Sequence, residues 1–391
     1  MTRADRVANV AKRYTDARQF AGIEWLVERK GEVLTRGRSG IADVDTGAAL
    51  PDKPLYRIYS MTKPIVSALG LILIEQGKLR LFDVLPQFNP AFANMTVLLP
   101  NGRIEPAARP ITVEDLFTHR AGFTYEFIHG CHIAPYYRDV KVTSVGSDTL
   151  DEMMTKLAAQ PLAFQPGSQF RYSVATDALA HVIEKAADMP IDQLLKRELL
   201  DPLGMSDTSY CVPADKRARI APMHGVADIA GTPSLTMRAH TLERVDVEGM
   251  HPSGDPNFRR GGHGLFSTMD DYARFARMLI NGKSADGKTI LSRPMLKMMC
   301  TNRIPPSQLP LTIGPNAFSG YGWGLGVRVM LDVGQTLSLT NVGEVGWAGA
   351  ASTYFWTDPS EAMIGLVMTQ YLGAMLPLAD DMRSAAYQML S

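Results

Sequence analysis

The stretch from Ile65 to Ile74, Ile-Val-Ser-Ala-Leu-Gly-Leu-Ile-Leu-Ile, is apolar around nearly its whole circumference when wound as a helix. Such a helix has no face to offer water and must be covered on all sides. A chain that contains it has to wrap its other elements around it. At the mouth of the run stands Ser60-Met61-Thr62-Lys63-Pro64. Serine and lysine three positions apart fall on one helix face, a turn from each other. A serine hydroxyl is a weak nucleophile and needs a base beside it, which a desolvated lysine amine can be. The helix N-terminus adds partial positive charge and backbone N–H groups where an oxyanion would form. Serine is also a common N-cap and lysine a common helix residue, so the pattern gains meaning only from what accompanies it.

The chain has 391 residues, enough for two packed domains or one large one. Formal net charge is zero, which points away from nucleic acid and anionic membranes as partners. Cys131, Cys211 and Cys300 are odd in number and scattered, and read as reduced thiols. Met1 to Phe20 is charged and amphipathic, with no secretory pattern, so a cytoplasmic protein is expected. No apolar run is long enough to span a membrane.

Val7, Ala8, Val10, Ala11, Tyr14 and Ala17 recur at helical spacing. Gly22 to Glu28 and Glu32 to Gly37 read as strands joined by the turn Arg29-Lys30-Gly31. The region after Gly77 is helical. Thr112 caps a helix to Phe117 with Asp115 near its third position, and further helices run over Asp151–Ala159, Asp177–Ala187 and Asp192–Leu200. Pro213 to Arg260 reads as long loops of the kind that line or cover a site. Thr268 opens another helix, Tyr272 to Ile280. Strands are then expected over Gly324–Leu331, Thr336–Asn341, Ala350–Thr357 and Ala362–Gln370, before a last helix, about Leu376 to Leu390. The fold class is therefore α/β (α+β). One antiparallel sheet is built from both chain ends and flanked by the terminal helices, with a mostly helical domain inserted. The expected division is residues 1–79 with 262–391 for the sheet domain, and 80–261 for the helical one.

Two further stretches carry chemistry. Tyr172, in Arg171-Tyr172-Ser173-Val174, follows the loop Gln165-Pro166-Gly167-Ser168, and a tyrosine there can act as a base if ammonium groups lower its pKa. Gly346-Trp347-Ala348-Gly349-Ala350 opens a strand whose small residues let backbone approach a ligand, and whose N–H groups can serve an oxyanion. A buried core tyrosine and a packed tryptophan are the plainer readings of each. Gly-x-Ser-x-Gly does not occur, and Gly322-Trp323-Gly324-Leu325-Gly326 lacks the dinucleotide pattern. His129-Gly130-Cys131-His132 matches no common zinc spacing, and His251 and His263 read as loop structure, so neither metal nor cofactor is implied.

Ser60-x-x-Lys63, then Tyr172 about 110 residues later, then a Gly-rich strand near the C-terminus, together resemble the serine β-lactamase and penicillin-binding protein superfamily. Leu116 to Gly122, Pro202 to Met205, Gly261 to Thr268 and Gly320 to Gly324 agree with it, so the likeness covers nearly the whole chain. Class C β-lactamases carry Tyr-x-Asn and Lys-Thr-Gly, where this chain has Val174 and Trp347. Valine and indole cannot pair with an antibiotic's carboxylate. The pattern is similar to the family VIII carboxylesterases. The resemblance implies a β-lactamase-like fold and Ser60 as acyl-forming nucleophile. Lys63 and Tyr172 would be the proton-transferring pair, their order unsettled. It also implies the N–H groups of Ser60 and Ala350 as oxyanion hole, and Trp347, Gly349 and Tyr125 beside the substrate, with Asp177 supporting from behind. The function implied is hydrolysis of short-chain acyl esters, with a small-molecule ester as partner and a monomer or homodimer as assembly. A β-lactamase, a D,D-peptidase or an acyltransferase is the alternative on the same scaffold, and a non-catalytic binding scaffold the remaining one.

Overall fold

A computed structural model describes residues 3–143, 145–227, 242–373 and 376–390. The chain opens with α1 (Arg3–Asp16), then strands β1 (Gly22–Arg29) and β2 (Glu32–Gly40), then α2 (Thr62–Glu75). The middle holds α3 (Val113–Phe117), α4 (Ala134–Val140), α5 (Leu150–Ala158), α6 (Ala175–Ala187) and α7 (Ile191–Leu195). After α8 (Met269–Asn281) and α9 (Arg293–Met299) come β3 (Tyr321–Trp323), β4 (Arg328–Met330), β5 (Val345–Ala348), β6 (Tyr354–Asp358) and β7 (Met363–Met368), and finally α10 (Leu378–Tyr387).

The seven strands form one sheet in the order β3-β4-β5-β6-β7-β1-β2. Every neighbouring pair is antiparallel, and β1 joins the strands from the other end of the chain through Glu24 opposite Met368 and Leu26 opposite Leu366. Side chains alternate between faces, so each face serves a separate core. Trp25, Val27, Tyr354 and Trp356 pack with Val7, Ala11 and Tyr14 of α1 and Met382 and Ala386 of α10. Leu26, Phe355, Ile364 and Leu366 face the larger core, which contains α2 and α8. Tyr272 of α8 sets its ring 5.0 Å from Phe355.

α2 is buried at every position from Thr62 to Leu73, as its apolar circumference requires. Each buried leucine, isoleucine or valine of it contributes about 1.5–3 kcal/mol relative to exposure. That stability is what allows a lysine to be held without water inside the same helix. Local signals agree elsewhere. Thr112 accepts from the Asp115 N–H while Asp115 reaches back to Thr112, completing the capping box of α3. Thr268 caps α8, and Gly282 ends it in the left-handed region.

Three sequence expectations fail. Gly324–Leu331 is strand only over β4, Arg328–Met330; residues 324–327 are the turn that follows β3, in which Gly326 has φ +90°. Thr336–Asn341 alternates like a strand but forms none, and Leu337 and Leu339 are exposed. Side-chain bonds hold it instead: Ser338 Oγ donates to Asp380 at 3.2 Å and the Leu339 N–H donates to Ser384 at 3.3 Å. Ala350–Thr357 begins its strand only at Tyr354, because Gly349 to Ser352 form a turn. Helices α4 and α9 lie outside the expected set. The latter carries a readable start, with Ser292 as N-cap and proline in the first turn. Of the expected loop from Pro213 to Arg260, residues 228–241 lie outside the described residues, and Ala214–Arg219 forms a short 3-10 helix. No helix among the described residues is long and apolar enough to cross a membrane.

Candidate active site

Ser60 sits in a single 3-10 turn, Tyr59–Met61, that runs directly into α2. Tyr59 immediately before it has φ +42°, a left-handed conformation that a bulky side chain rarely adopts. Packing holds that strain: the Tyr59 ring meets the His251 ring edge-on at 4.9 Å. The turn is also tied down from behind. The Ile58 N–H donates to Leu265 O at 3.1 Å, the Leu265 N–H to Thr62 Oγ1 at 3.1 Å, and the Tyr272 hydroxyl to Met61 O at 2.9 Å.

Lys63, one turn on, places Nζ 3.1 Å from Ser60 Oγ and donates to Gly262 O at 2.7 Å. It is fully buried. Burial penalises the ammonium and draws its pKa from the ordinary lysine value down to about 7, while Asp177 pulls the other way. Its nitrogen lies over two aromatic rings, 4.7 Å from the Tyr172 centroid and 5.1 Å from that of Tyr125. Those π faces give partial compensation to a cation with no water.

Tyr172 comes in from just ahead of α6. Its hydroxyl is hydrogen-bonded to Ser60 and accepts from Trp347 Nε1 at 3.0 Å. Burial pushes the phenol up, and these two hydrogen bonds act against that rise. Four side chains from three separated segments therefore form one chain of hydrogen bonds, Lys63 to Ser60 to Tyr172, with Trp347 donating from the far end. Trp347 is on β5, not in a loop, and its ring also packs edge-on against Trp323 at 4.5 Å. An indole N–H is a donor only. Spent on Tyr172, it holds the phenol in place, a role that the sequence alone does not show.

The remaining expected residues fall as follows. Tyr125 is buried beside Tyr172, with ring centroids 5.4 Å apart. Gly349 is where the β5–β6 turn touches the segment before Ser60: a Cβ there would stand 2.4 Å from Ile58 O. Its need is thus close backbone approach. Ala350 follows in that turn, exposed, and not on a strand as expected. The turn is closed by Gly349 N–H to Thr353 O at 2.8 Å and Ser352 N–H to Gly349 O at 3.0 Å. Asp177 lies in the first turn of α6, fully buried, and accepts from the Gly262 N–H at 2.9 Å. Val174 is buried and apolar.

Two participants are not assigned a role by sequence reasoning. Gly262 bonds Lys63 with its carbonyl and Asp177 with its N–H; the Gly261-Gly262-His263-Gly264 stretch is the signal that marks it. His119 packs 4.8 Å from Tyr172 and 5.2 Å from Trp323, and burial keeps it neutral by pushing its pKa well down. The Cys131 thiol accepts from Arg171 at 2.5 Å, and His132 Nε2 lies 2.5 Å from Leu98 O.

The family model described as Beta-lactamase matches residues 7–388. The chain belongs to that family and is a serine hydrolase with a β-lactamase-like α+β fold. Its relatives narrow the setting. It is 32% identical to Protein Rv1367c of Mycobacterium tuberculosis over 364 residues, covering 91% of this chain and 87% of that one. It is 28% identical to Esterase EstB of Burkholderia gladioli over 408 residues, covering 95% and 91%. Among solved structures, EstCE1, described as a hydrolase with promiscuous acyltransferase activity, superposes with a TM-score of 0.82 at 25% identity, over 98% of each chain.

Proposed function

We propose that this protein is a carboxylesterase that hydrolyses short-chain acyl esters through an acyl-Ser60 intermediate. The observation that carries the reading is the hydrogen-bonded chain Lys63–Ser60–Tyr172–Trp347. Of the two basic side chains, burial lowers Lys63 to about 7 and raises Tyr172, so near neutral pH only the lysine has a free base. Lys63 therefore takes the Ser60 proton, and Ser60 Oγ attacks the ester carbonyl. The N–H groups of Ser60 and Ala350 receive the oxyanion. Tyr172 gives its proton to the departing alkoxide, leaving acyl-Ser60, an alcohol, a lysine ammonium and a phenolate. In the second half water gives a proton to the phenolate and adds to the acyl carbon. Ser60 leaves with the proton held by Lys63, and the starting state is restored.

Two features support a plain ester over a lactam. Val174 offers no amide, and the Trp347 N–H is already engaged by Tyr172, so neither can grip a carboxylate. The EstB relative is an esterase by name. Acyl transfer to an alcohol in place of water is the second reading, favoured by the likeness to EstCE1. The test is release of p-nitrophenol from the acetate, butyrate and octanoate esters by wild type and Ser60→Ala. Loss of turnover in Ser60→Ala and a preference for the shorter chains are expected. Equal rates in the two proteins refute the nucleophile, and nitrocefin turnover matching ester turnover refutes the substrate class. An added primary alcohol that forms a new ester faster than acid is released selects the transferase.

A further inference from the structure

Lys63 is surrounded by groups that burial keeps neutral. His119 and His263 are pushed well down, and Tyr125 and Tyr172 well up. The charged groups near it are Asp177 and, beyond Asp177, the buried Arg260. Arg260 donates to the carbonyls of Asp148 at 2.6 Å and Val145 at 3.3 Å. Asp177 is connected to Lys63 through a single residue: Gly262 donates its N–H to Asp177 Oδ1 at 2.9 Å, and its carbonyl accepts from Lys63 Nζ at 2.7 Å. The other carboxylate oxygen, Oδ2, is buried with no hydrogen-bond partner among the described residues, and so is the Tyr125 hydroxyl. Both stand close to Gly262, whose Cβ position would lie 2.5 Å from Asp177 Oδ2 and 2.7 Å from Tyr125 Oη. A buried carboxylate with one strong donor and one bare oxygen is a poor stabilising device, because its desolvation is not matched by hydrogen bonds. Burial raises the Asp177 pKa, while the Lys63 charge, the Gly262 N–H, Arg260 and its place in the first turn of α6 act to keep it charged.

We propose that Asp177 is a positioning residue that sets the charge balance of Lys63 across Gly262, without touching the ester. The carboxylate lets the ammonium form when Lys63 takes the Ser60 proton, and by holding the Gly262 N–H it fixes the Gly262 carbonyl that aims Nζ at Ser60 Oγ. This rests on the reading of Ser60 and Lys63 as nucleophile and base, which Ser60→Ala tests separately: if that variant keeps wild-type turnover, the underlying reading fails whatever Asp177 does.

The experiment measures kcat and KM against pH for wild type, Asp177→Asn and Asp177→Ser. Asparagine keeps an oxygen for the Gly262 N–H and removes only the charge, whereas the shorter serine removes the charge and draws its oxygen back from that N–H. With the negative charge gone, burial acts on Lys63 unopposed and its pKa falls. The acid limb of kcat/KM then moves to lower pH by about one unit in both variants, the lower end for loss of an opposite charge at close range. At the plateau kcat falls about tenfold, since the ammonium formed in the reaction is that much less stable, and KM is unchanged. A limb that stays in place while kcat falls only with the folded fraction means a structural role and overturns the proposal. So does failure of both variants to fold, read from near-UV circular dichroism.

Discussion

Replacing Trp347 by phenylalanine separates the two tasks of that side chain. The benzene ring still occupies the space against Trp323, where the rings stand 4.5 Å apart, but the donor that reaches Tyr172 at 3.0 Å is lost. In the resting enzyme that donor serves a neutral phenol, a bond of about 0.5–1.5 kcal/mol. Once Tyr172 has given up its proton it serves a phenolate, about 1.5–3 kcal/mol. The difference, about 1–2 kcal/mol, is the transition-state stabilisation removed, so kcat/KM falls about 5- to 30-fold. The loss depends on the leaving group. A simple alkoxide needs the Tyr172 proton to depart, whereas p-nitrophenolate does not. Wild type and Trp347→Phe are therefore compared on ethyl butyrate and p-nitrophenyl butyrate, with folded fraction checked at the assay temperature. The full loss is expected on the ethyl ester and less than about threefold on the aryl ester. Equal losses on both, or none on either, would refute the assignment of Tyr172 as proton donor to the leaving alcohol and of Trp347 as its support.

The pH dependence of the wild type follows from Lys63, whose folded-state pKa is lowered to about 7. Below that value the amine is protonated and cannot accept the Ser60 proton, so kcat/KM rises with pH and is half-maximal near 7; a midpoint near the ordinary lysine value would show that the amine is not desolvated. Arg383, buried, donates to Glu344 at 2.9 Å and to the hydroxyls of Tyr321 at 2.8 Å and Tyr354 at 3.0 Å, joining α10 to the sheet. Arg383→Met leaves buried Glu344 with Arg328 at 3.5 Å and the Thr340 and Tyr387 hydroxyls, and costs about 1.5–3 kcal/mol in urea unfolding, the worth of a hydrogen bond to a charged group; adding Glu344→Gln restores part of it, and no recovery in the double variant would refute the pairing.

Much of this was legible from local pattern. The all-round apolarity of Ile65–Ile74 foretold a buried helix and the capping box at Thr112 a helix start, because each signal spans only a few residues; Ser60, Lys63 and Tyr172, grouped by the family resemblance, lie together in the structure. What failed depended on partners far along the chain. Leu337 and Leu339 alternate with polar residues as a strand would, yet the sheet does not recruit them, and bonds from Ser338 and Leu339 to the last helix decide their path. The Trp347 bond to Tyr172 spans 175 positions, and nothing at either end announces it. Asp177 was readable as a neighbour of Tyr172, but its link to Lys63 runs through Gly262, 199 positions from the lysine.

That separation has a kinetic meaning. The Ser60 turn is pinned by Leu265 and Tyr272, and Lys63 by Gly262, so no local folding unit contains the whole site. Contacts between segments so distant close late, after the helices that depend on near neighbours. During refolding, the helical signal returns ahead of hydrolysis, and the ability to turn over an ester becomes a report that the whole chain has closed. A collapsed form with native helix content but an unseated Gly262 segment would have every reactive group present and none of them in working order.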